Sequence, residues 1–312
     1  MIELADTRAA AIAAEFIRAR LRAGSPAMGM VMTLIVVADE DGAVAAMESA
    51  QTAAQEHPAR VLGVVIGPKR GAGRVDAEVG IGAGRGGETA LIRLTGEVAQ
   101  YPDSVVLPLL LPDSPVVVWW PSAAPADPAE DPIGRLAQRR ITDAASAPRA
   151  RSRAMATACT TYAKGNTDLA WTRLTPWRAL LAAALDQHPG TVQSASVEAE
   201  RGNPSADLLV AWLRDRLDVA VDHRVSDGPG ITEAVLTTPG GDLRLSRPDG
   251  RLATLSTPGR PDRPIALKRR TVPELLNEEL RRLDEDEIYA ATARALAKQQ
   301  TPTTRTTKRK RT

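Results

Sequence analysis

The stretch VMTLIVVA, residues 31–38, decides the fold of the first half of the chain. It is apolar at almost every position, which is typical of a strand covered on both faces, as in a parallel sheet flanked by helices. Acidic residues 39–41 can open a helix that extends to about residue 55, and the apolar stretch at residues 61–66 predicts the next strand. Strand, helix and strand make a βαβ unit, so we predict an α/β N-terminal domain with a mostly parallel sheet.

Further elements of the same domain are predicted on both sides of this unit. Before it, Asp6 or Thr7 can cap a helix that Gly24 ends. After it, we predict strands at residues 74–79, 88–94 and 116–120 and helices at about 132–140 and 152–162. The apolar positions expected to face inward on the first two helices are Ile12, Phe16, Ile17, Leu21, Val44, Met47 and Ala50.

The second half of the chain predicts an α+β domain. Thr175 can cap a helix that has Pro176 in its first turn, and a further helix is predicted from residue 204 or 205 to residue 217. Two terminal helices are predicted to begin with capping boxes, Thr271 with Glu274 and Asp284 with Glu287. The predicted strands, most of them in an antiparallel meander, are near residues 191–198, 219–225, 231–237, 243–247 and 252–256. We therefore predict domains at 1–165 and 166–297 and a basic disordered tail at 298–312.

The composition is that of a globular chain with a basic end. The 312 residues are 43% hydrophobic and 25% charged, which is enough apolar material for a large core. The formal net charge is +2, but residues 298–312 hold six basic residues and no acidic one. Without them 34 basic and 38 acidic residues remain, so the folded body is mildly acidic. Nonspecific contact with anions is the expected effect of the tail, and no specific nucleic-acid binding is expected.

The cysteine content and the apolar stretches favour a cytoplasmic protein. Cys159 is the single cysteine, which excludes an internal disulfide and a CxxC site and fits a reducing compartment. The N-terminus carries acids at positions 3 and 6, where a secretion signal would need basic residues. The apolar stretches at residues 28–38 and 105–120 are short or interrupted by proline, so no membrane span is expected.

Two patterns resemble ligand sites, but a structural interpretation is favoured for each. Gly82, Gly84 and Gly87 match the GxGxxG spacing of dinucleotide-binding loops, yet the residues that follow predict a strand where such a site needs a helix. Residues 39–41 follow a strand, where doubly wound folds bind ligands, but acids are also favoured in the first turn of any helix.

The histidines give no sign of a catalytic or metal site. His57, His188 and His223 are far apart, and neither a GxSxG elbow nor an HExxH pair occurs in the sequence. We therefore predict no catalytic residue, no cofactor and no metal, and a protein that is not an enzyme.

Tryptophan and arginine supply the candidate binding residues. Trp119 and Trp120 are adjacent on a predicted strand and must face opposite ways, so one could be an exposed contact beside Pro121, although burial of both is favoured. Arginine, tryptophan and aspartate also occur together at residues 137–144 and 165–178, where an anion pocket, a protein interface or a structural junction would each use them. The candidate partner-binding residues are Trp119, Trp120, Pro121, Arg139, Arg140, Asp168, Trp171, Arg173, Trp177 and Arg178.

The same stretches carry a family resemblance. The segments are DSVVLPLLLPDSPVVVWWP (103–121), LAQRRITDA (136–144), DLAWTRLTPWRALLAAALDQ (168–187), PSADLLVAWL (204–213), DGPGI (227–231), LSRPDGR (245–251) and EELRRLDEDEIY (278–289). No single segment encodes a general chemistry, and the specificity comes from their occurrence together and in order. The chain resembles the OpcA family from its first helix to about residue 297.

The resemblance implies a noncatalytic factor that binds glucose-6-phosphate dehydrogenase. Such a factor promotes the assembly or activation of that enzyme in the oxidative pentose phosphate pathway of actinobacteria and cyanobacteria. In the cyanobacterial branch this role is linked with redox control through cysteines. With Cys159 alone, this chain cannot form an internal disulfide switch of that kind.

Two other interpretations remain open from the sequence. One is an α/β enzyme or sensor that binds a small anionic metabolite, such as a sugar phosphate, near residues 39–41 or near Arg139 and Arg140. The other is nucleic-acid binding, which depends only on the basic tail. Binding to the dehydrogenase is the interpretation that we favour.

Overall fold

The computed structural model describes residues 1–23, 29–81, 87–188 and 190–300. The strands in chain order are β1 (Ile2–Leu4), β2 (Met32–Ala38), β3 (Ala59–Ile66), β4 (Arg74–Ile81), β5 (Glu88–Thr95), β6 (Val116–Trp119), β7 (Arg139–Thr142), β8 (Asn166–Asp168), β9 (Ser194–Ala199), β10 (Val221–Val225), β11 (Ile231–Thr238), β12 (Gly241–Ser246), β13 (Leu252–Ser256) and β14 (Arg263–Ala266). The α-helices are α1 (Ala9–Ala23), α2 (Glu40–Ala53), α3 (Pro102–Val106), α4 (Arg151–Thr160), α5 (Leu169–Thr172), α6 (Thr175–Gln187), α7 (Pro204–Leu217), α8 (Val272–Arg281) and α9 (Glu287–Gln300).

Within the described residues, eight strands form one sheet, which we call the N-terminal sheet. Its order is β1-β4-β5-β3-β2-β6-β7-β8. The six strands from β5 to β8 in this order are parallel to one another, whereas β4 is antiparallel to both β5 and β1. The central strand β2 is buried on both faces, and β2, α2 and β3 form the predicted βαβ unit. The predicted α/β class with a mostly parallel sheet is confirmed.

Helices cover both faces of the N-terminal sheet. On one face α1 contacts β4, and its Ile12 and Phe16 share one core with Ile35 of β2. On the other face α2 packs beside α8, which comes from the far end of the chain. The α8 residues in this core are Leu275, Leu276 and Leu280. The first half of the chain therefore completes its core with a helix from the second half.

Six further strands of the described chain form the C-terminal sheet, in the order β10-β9-β11-β12-β13-β14. β9 and β10 are parallel, and the other neighbours are antiparallel, as the predicted meander requires. Buried and less buried residues alternate along β9, so one face of the sheet packs against helices and the other faces outward. Asn203 caps α7 by accepting a hydrogen bond from the backbone N–H of Ala206 at 3.0 Å.

Several local predictions are wrong. The helix expected at 132–140 is replaced by a short 3-10 helix (Gly134–Leu136) and β7, whose arginines are buried rather than solvated. Ile17, Leu21 and Val44 are exposed instead of inward-facing. Strands β1, β8 and β14 were not expected, and the predicted end of the first helix at Gly24 lies outside the described residues.

The caps of the terminal helices are partly as predicted. The capping box of Thr271 and Glu274 at α8 is confirmed. At α9 the capping residue is Asp286 rather than Asp284, because the Asp286 carboxylate accepts from the N–H groups of Ile288 and Tyr289 at 3.0 and 2.9 Å. α9 extends to Gln300, so residues 298–300 of the predicted tail are helical, and residues 301–312 lie outside the described residues.

The domain boundary at residue 165 stays a prediction, and the chain makes extensive contacts across it. β8 follows the boundary but belongs to the N-terminal sheet. Conversely, Met155 and Cys159 of α4 precede it but pack in the core of the C-terminal sheet.

Candidate functional site

Trp119 and Trp120 lie on opposite faces of the N-terminal sheet, as adjacent strand residues must. Trp119 packs in the core beneath α2 and α8, and Trp120 packs in the core beneath α1. Each is only 2% exposed, so the alternative of an exposed indole at this position is wrong, and burial is confirmed. Pro121, which follows them, is partly exposed.

Arg139 and Arg140 of β7 are buried and bonded to the chain itself. The guanidinium of Arg139 forms an ion pair with Glu279 of α8 and donates to the carbonyl of Asp284 at 2.9 Å. Arg140 donates to the side-chain oxygen of Asn166 at 2.6 Å and to the carbonyl of Ala137 at 2.7 Å. Burial lowers the pKa of Arg140. Most N–H groups of the arginine pair are therefore engaged within the chain, and the Arg139 Nε, which has no partner among the described residues, is buried, so the pair does not offer the anion site that one open interpretation placed there.

Asp168 ends β8 and is fully buried. It accepts hydrogen bonds from the Thr142 hydroxyl at 2.6 Å and from the N–H groups of Ala144 and Ala170 at 3.0 and 2.8 Å. Burial, and then the nearby carboxylate of Asp143, raise the pKa of Asp168 above its usual range. The site therefore fixes the ends of β7 and β8 and the start of α5.

A cavity of about 300 Å³ opens beside Asp143 and Asp168, at the carboxyl ends of parallel strands. This is where doubly wound folds place ligands. Most of its lining, however, is alanine and proline from residues 122–128 and 144–158. Arg173 lies outside the lining and neutralises Asp143 through two hydrogen bonds of 2.7 and 2.9 Å. The polar groups here are thus engaged within the chain.

Trp171 and Arg178 form a stacked pair in the second half of the chain. The guanidinium carbon of Arg178 lies 3.6 Å from the centre of the Trp171 ring. The indole N–H of Trp171 donates to Asp286 at 2.7 Å, and its ring lies 5.7 Å from that of Tyr289. Trp177 lies apart from this pair and contacts Arg247 instead, with 5.0 Å between the guanidinium carbon and the ring centre. The predicted residues therefore divide among several buried contacts and do not form one exposed patch.

An apolar groove that the sequence analysis missed opens next to Arg178. It has a volume of about 430 Å³ and lies between α6, α7 and α9. Its lining includes Leu185, Trp212, Leu217 and Ile288, with Arg178 and Arg216 as its charged members. A sequence signal for this groove does exist: α6 and α7 have more apolar residues than one buried helix face can hold. An accessible apolar surface of this kind is typical of a protein-binding site.

The other candidate ligand patterns have structural roles or lie partly outside the described residues. Gly82 and Gly84 are outside them, and β5 begins directly after Gly87, as predicted. Asp39 caps α2 through the N–H of Gly42 at 2.8 Å, and Glu40 pairs with Arg93. These contacts support the helix-capping interpretation of residues 39–41.

The described residues hold no cluster of three or more His, Cys, Asp and Glu side chains that could bind a metal. Cys159 is buried, and burial raises the pKa of its thiol. None of the described helices has both the length and the apolar character needed to cross a membrane.

Comparison with solved structures gives only distant similarities. A mutant of KijD10, a 3-ketoreductase from Actinomadura kijaniata in complex with TDP-benzene and NADP, is 12% identical, with a TM-score of 0.47 over 85% of this chain and 95% of the other. An oxidoreductase from Sinorhizobium meliloti is 9% identical, with a TM-score of 0.39 over 84% and 86% of the two chains. Neither TM-score establishes a shared fold. The curated proteins gave no match.

Family models, in contrast, match both halves of the chain. Residues 50–158 match the glucose-6-phosphate dehydrogenase subunit N-terminal domain, and residues 164–293 match the C-terminal domain of the same subunit. Together the two models cover more than half of the sequence, in the order in which the domains are named. The chain therefore belongs to the OpcA family of glucose-6-phosphate dehydrogenase subunits.

Proposed function

We propose that this protein is a noncatalytic factor that binds glucose-6-phosphate dehydrogenase and promotes its assembly or its allosteric activation. The observation that carries the proposal is the family match across both halves of the chain. The factor would act in the cytoplasm, in the oxidative pentose phosphate pathway. It would favour the active state of the dehydrogenase only to the extent that it binds that state more tightly than the inactive one.

We place the docking surface on the second half of the chain, at the apolar groove beside Arg178. Interfaces are enriched in tryptophan and arginine, and the groove presents Trp212 together with Arg178 and Arg216. Arg178 belongs to the residues predicted from sequence, and its stacking on buried Trp171 holds it beside the groove. In this proposal the buried candidates, such as Trp119 and Arg139, shape the surface and do not touch the partner.

The partner is the dehydrogenase itself, and the test uses the two purified proteins. Ile288 of the groove is 38% exposed in the first turn of α9, so Ile288→Asp should place a charge in the groove while the helix tolerates it. We expect this variant to lose co-elution with the dehydrogenase and to lose stimulation of its rate. A charge desolvated at an apolar interface is costly, so the loss in affinity should be at least about tenfold.

Val44 offers a matched control. It is also an apolar β-branched residue near the start of a helix capped by aspartate, and it is 61% exposed on α2, away from the groove. Val44→Asp should bind and stimulate like the wild type. If wild-type protein neither co-elutes with the dehydrogenase nor changes its rate, the proposed function is wrong. If binding occurs but Ile288→Asp and Val44→Asp behave alike, the function stands and the groove is the wrong surface.

A further inference from the structure

A second cavity, of about 160 Å³, lies between the C-terminal sheet and the start of α7. Its charged lining consists entirely of basic side chains, and no acidic residue lines it. These basic residues are Arg173, Arg247, Lys268, Arg269 and Arg270. Asn203 and Ser205 at the N-terminal turn of α7 also line it, so the positive end of the helix dipole adds to the same field. We call this cavity the basic pocket.

Three of the five basic side chains are neutralised by neighbouring carboxylates. Arg173 pairs with Asp143 at 2.7 Å, Lys268 pairs with Glu274 at 3.0 Å, and Arg270 pairs with Glu278. Arg247 and Arg269 form no ion pair with any residue that the structure describes. Two of the five cations therefore have no ion pair among the described residues. Glu200, the carboxylate nearest in effect to Arg269, is itself paired with Arg151.

Arg247 is the unusual member of the basic pocket, because it is a buried cation without a counterion. It is only 6% exposed, and two of its N–H groups donate to the carbonyls of Leu267 and Ile231, each at 3.1 Å. Its Nε has no partner among the described residues. Burial, and then the positive charge of Arg269, lower the pKa of Arg247 to about 10. A buried charge normally has a partner, because leaving it unpaired is strongly unfavourable.

Trp177 and Gly230 fix the position of the Arg247 guanidinium. Its guanidinium carbon lies 5.0 Å from the ring centre of Trp177, which orients the planar group. Gly230 closes the other side with a φ of +71°, and a β-carbon there would lie 3.5 Å from a terminal nitrogen of Arg247. A guanidinium held in one orientation at the wall of a cavity is suited to an oxoanion, whose oxygens accept several hydrogen bonds at once.

We propose that the basic pocket binds a phosphoryl group, either as inorganic phosphate or as the phosphate of a small phosphorylated metabolite. The charge agrees, since a phosphate monoester carries about −1.5 to −2 near neutral pH and two cations of the pocket form no ion pair with the described residues. The size of the cavity agrees as well. At about 160 Å³ it is smaller than pockets for drug-sized ligands, which begin at roughly 300 Å³, and it suits a small group such as a phosphate. This proposal is independent of binding to the dehydrogenase.

The test is a titration of the full chain with inorganic phosphate, followed by calorimetry and by thermal unfolding, with chloride at equal ionic strength as the reference. A specific ligand of the folded state raises the unfolding temperature in a saturable way. Arg269→Gln removes one uncompensated charge from an exposed side chain and should leave the fold intact. We expect it to weaken phosphate binding about tenfold, the effect of losing one charge-assisted hydrogen bond.

Arg263 of β14 provides the matched control, because it is an exposed arginine of the same sheet that does not line the pocket. Arg263→Gln should bind phosphate like the wild type. A hexose phosphate titrated in parallel identifies the source: tighter binding than inorganic phosphate indicates a metabolite, and equal or weaker binding indicates the free anion. The proposal is overturned if phosphate has no more effect than chloride, or if Arg269→Gln and Arg263→Gln bind phosphate equally.

Discussion

Arg139 on β7 and Glu279 on α8 form a buried ion pair between positions 140 residues apart in the chain. The other carboxylate oxygen of Glu279 accepts from the Thr172 hydroxyl at 2.6 Å. Both partners of the ion pair are almost completely buried, and the pair attaches α8 to β7, the strand next to the edge strand β8 of the N-terminal sheet. One carboxylate thus fixes the position of three elements: β7, α5 and α8.

Glu279→Gln should destabilise the protein by about 3 kcal/mol, because it leaves the Arg139 cation buried without a counterion. The side chain keeps its size, so the loss reports the charge rather than packing. The free energy of unfolding in urea measures it. Glu48→Gln, on the exposed side of α2, is the matched control and should change stability by less than about 0.5 kcal/mol. Equal effects of the two substitutions would contradict the role given to the pair.

Asp286→Ala should cost about 2 kcal/mol, since Asp286 both caps α9 and accepts the indole N–H of Trp171. Asp284→Ala is the control, because Asp284 is exposed and its contact with Arg139 is made by its backbone carbonyl, which the variant keeps. Its effect should stay below about 0.5 kcal/mol. Urea unfolding of both variants decides which aspartate is the cap, and a larger loss at Asp284 would reverse the assignment.

Stability should depend on pH through Glu274. Its hydrogen bond from the N–H of Thr271, followed by those from Lys268 and the Thr271 hydroxyl, lowers its pKa from the ordinary value of 4.5 to about 2. A lowered pKa in the folded state gives stability that is present above pH 4.5 and is lost as the pH falls towards 2.

Urea unfolding across this acid range should therefore show a smaller loss of stability for Glu274→Gln than for the wild type. Lys268→Met removes a lesser cause of the shift and should keep most of the wild-type dependence. Identical slopes for Glu274→Gln and the wild type would show that the capping box does not titrate in this way.

Cys159 should be unreactive in the folded protein. Its side chain is buried with its Sγ 3.6 Å from the Sδ of Met155, and burial raises the pKa of its thiol, so little thiolate forms. Mass spectrometry after alkylation at about pH 8 should show no adduct until the protein is unfolded. A cysteine placed at exposed Thr160, in a Cys159→Ala background, should react readily. Rapid modification of native Cys159 would contradict the buried position.

The apolar pattern was sufficient to predict the centre of the fold. β2, α2 and β3 follow from a buried run, an acidic start and a second buried run, and α7 follows from Pro204 and the apolar residues after it. β7 could not be found in this way, because its arginines are polar in sequence and become buried only through distant partners such as Glu279. Hydropathy does not record a partner 140 positions away.

The candidate site was predicted in composition but not in geometry. The sequence indicates that tryptophan and arginine matter at residues 165–178, and the Trp171–Arg178 stack is among them. It does not indicate that these side chains are mostly buried, because their burial depends on elements distant in sequence, such as α7, α8 and the start of α9. The cap of α9 could not be predicted for the same kind of reason. Asp284 and Asp286 both precede the helix, and only the course of the backbone determines that Asp286 accepts from its first N–H groups.

The packing of α8 on the N-terminal sheet has a consequence for biosynthesis. All eight strands of that sheet have been translated once residue 168 is made, yet the leucines at 275, 276 and 280, which cover one of its faces together with α2, emerge from the ribosome much later. Until then the nascent first half carries a bare apolar surface, and a fragment cut between the two family segments would carry it permanently. A gene fusion or truncation that is meant to yield a soluble first half must therefore include this helix.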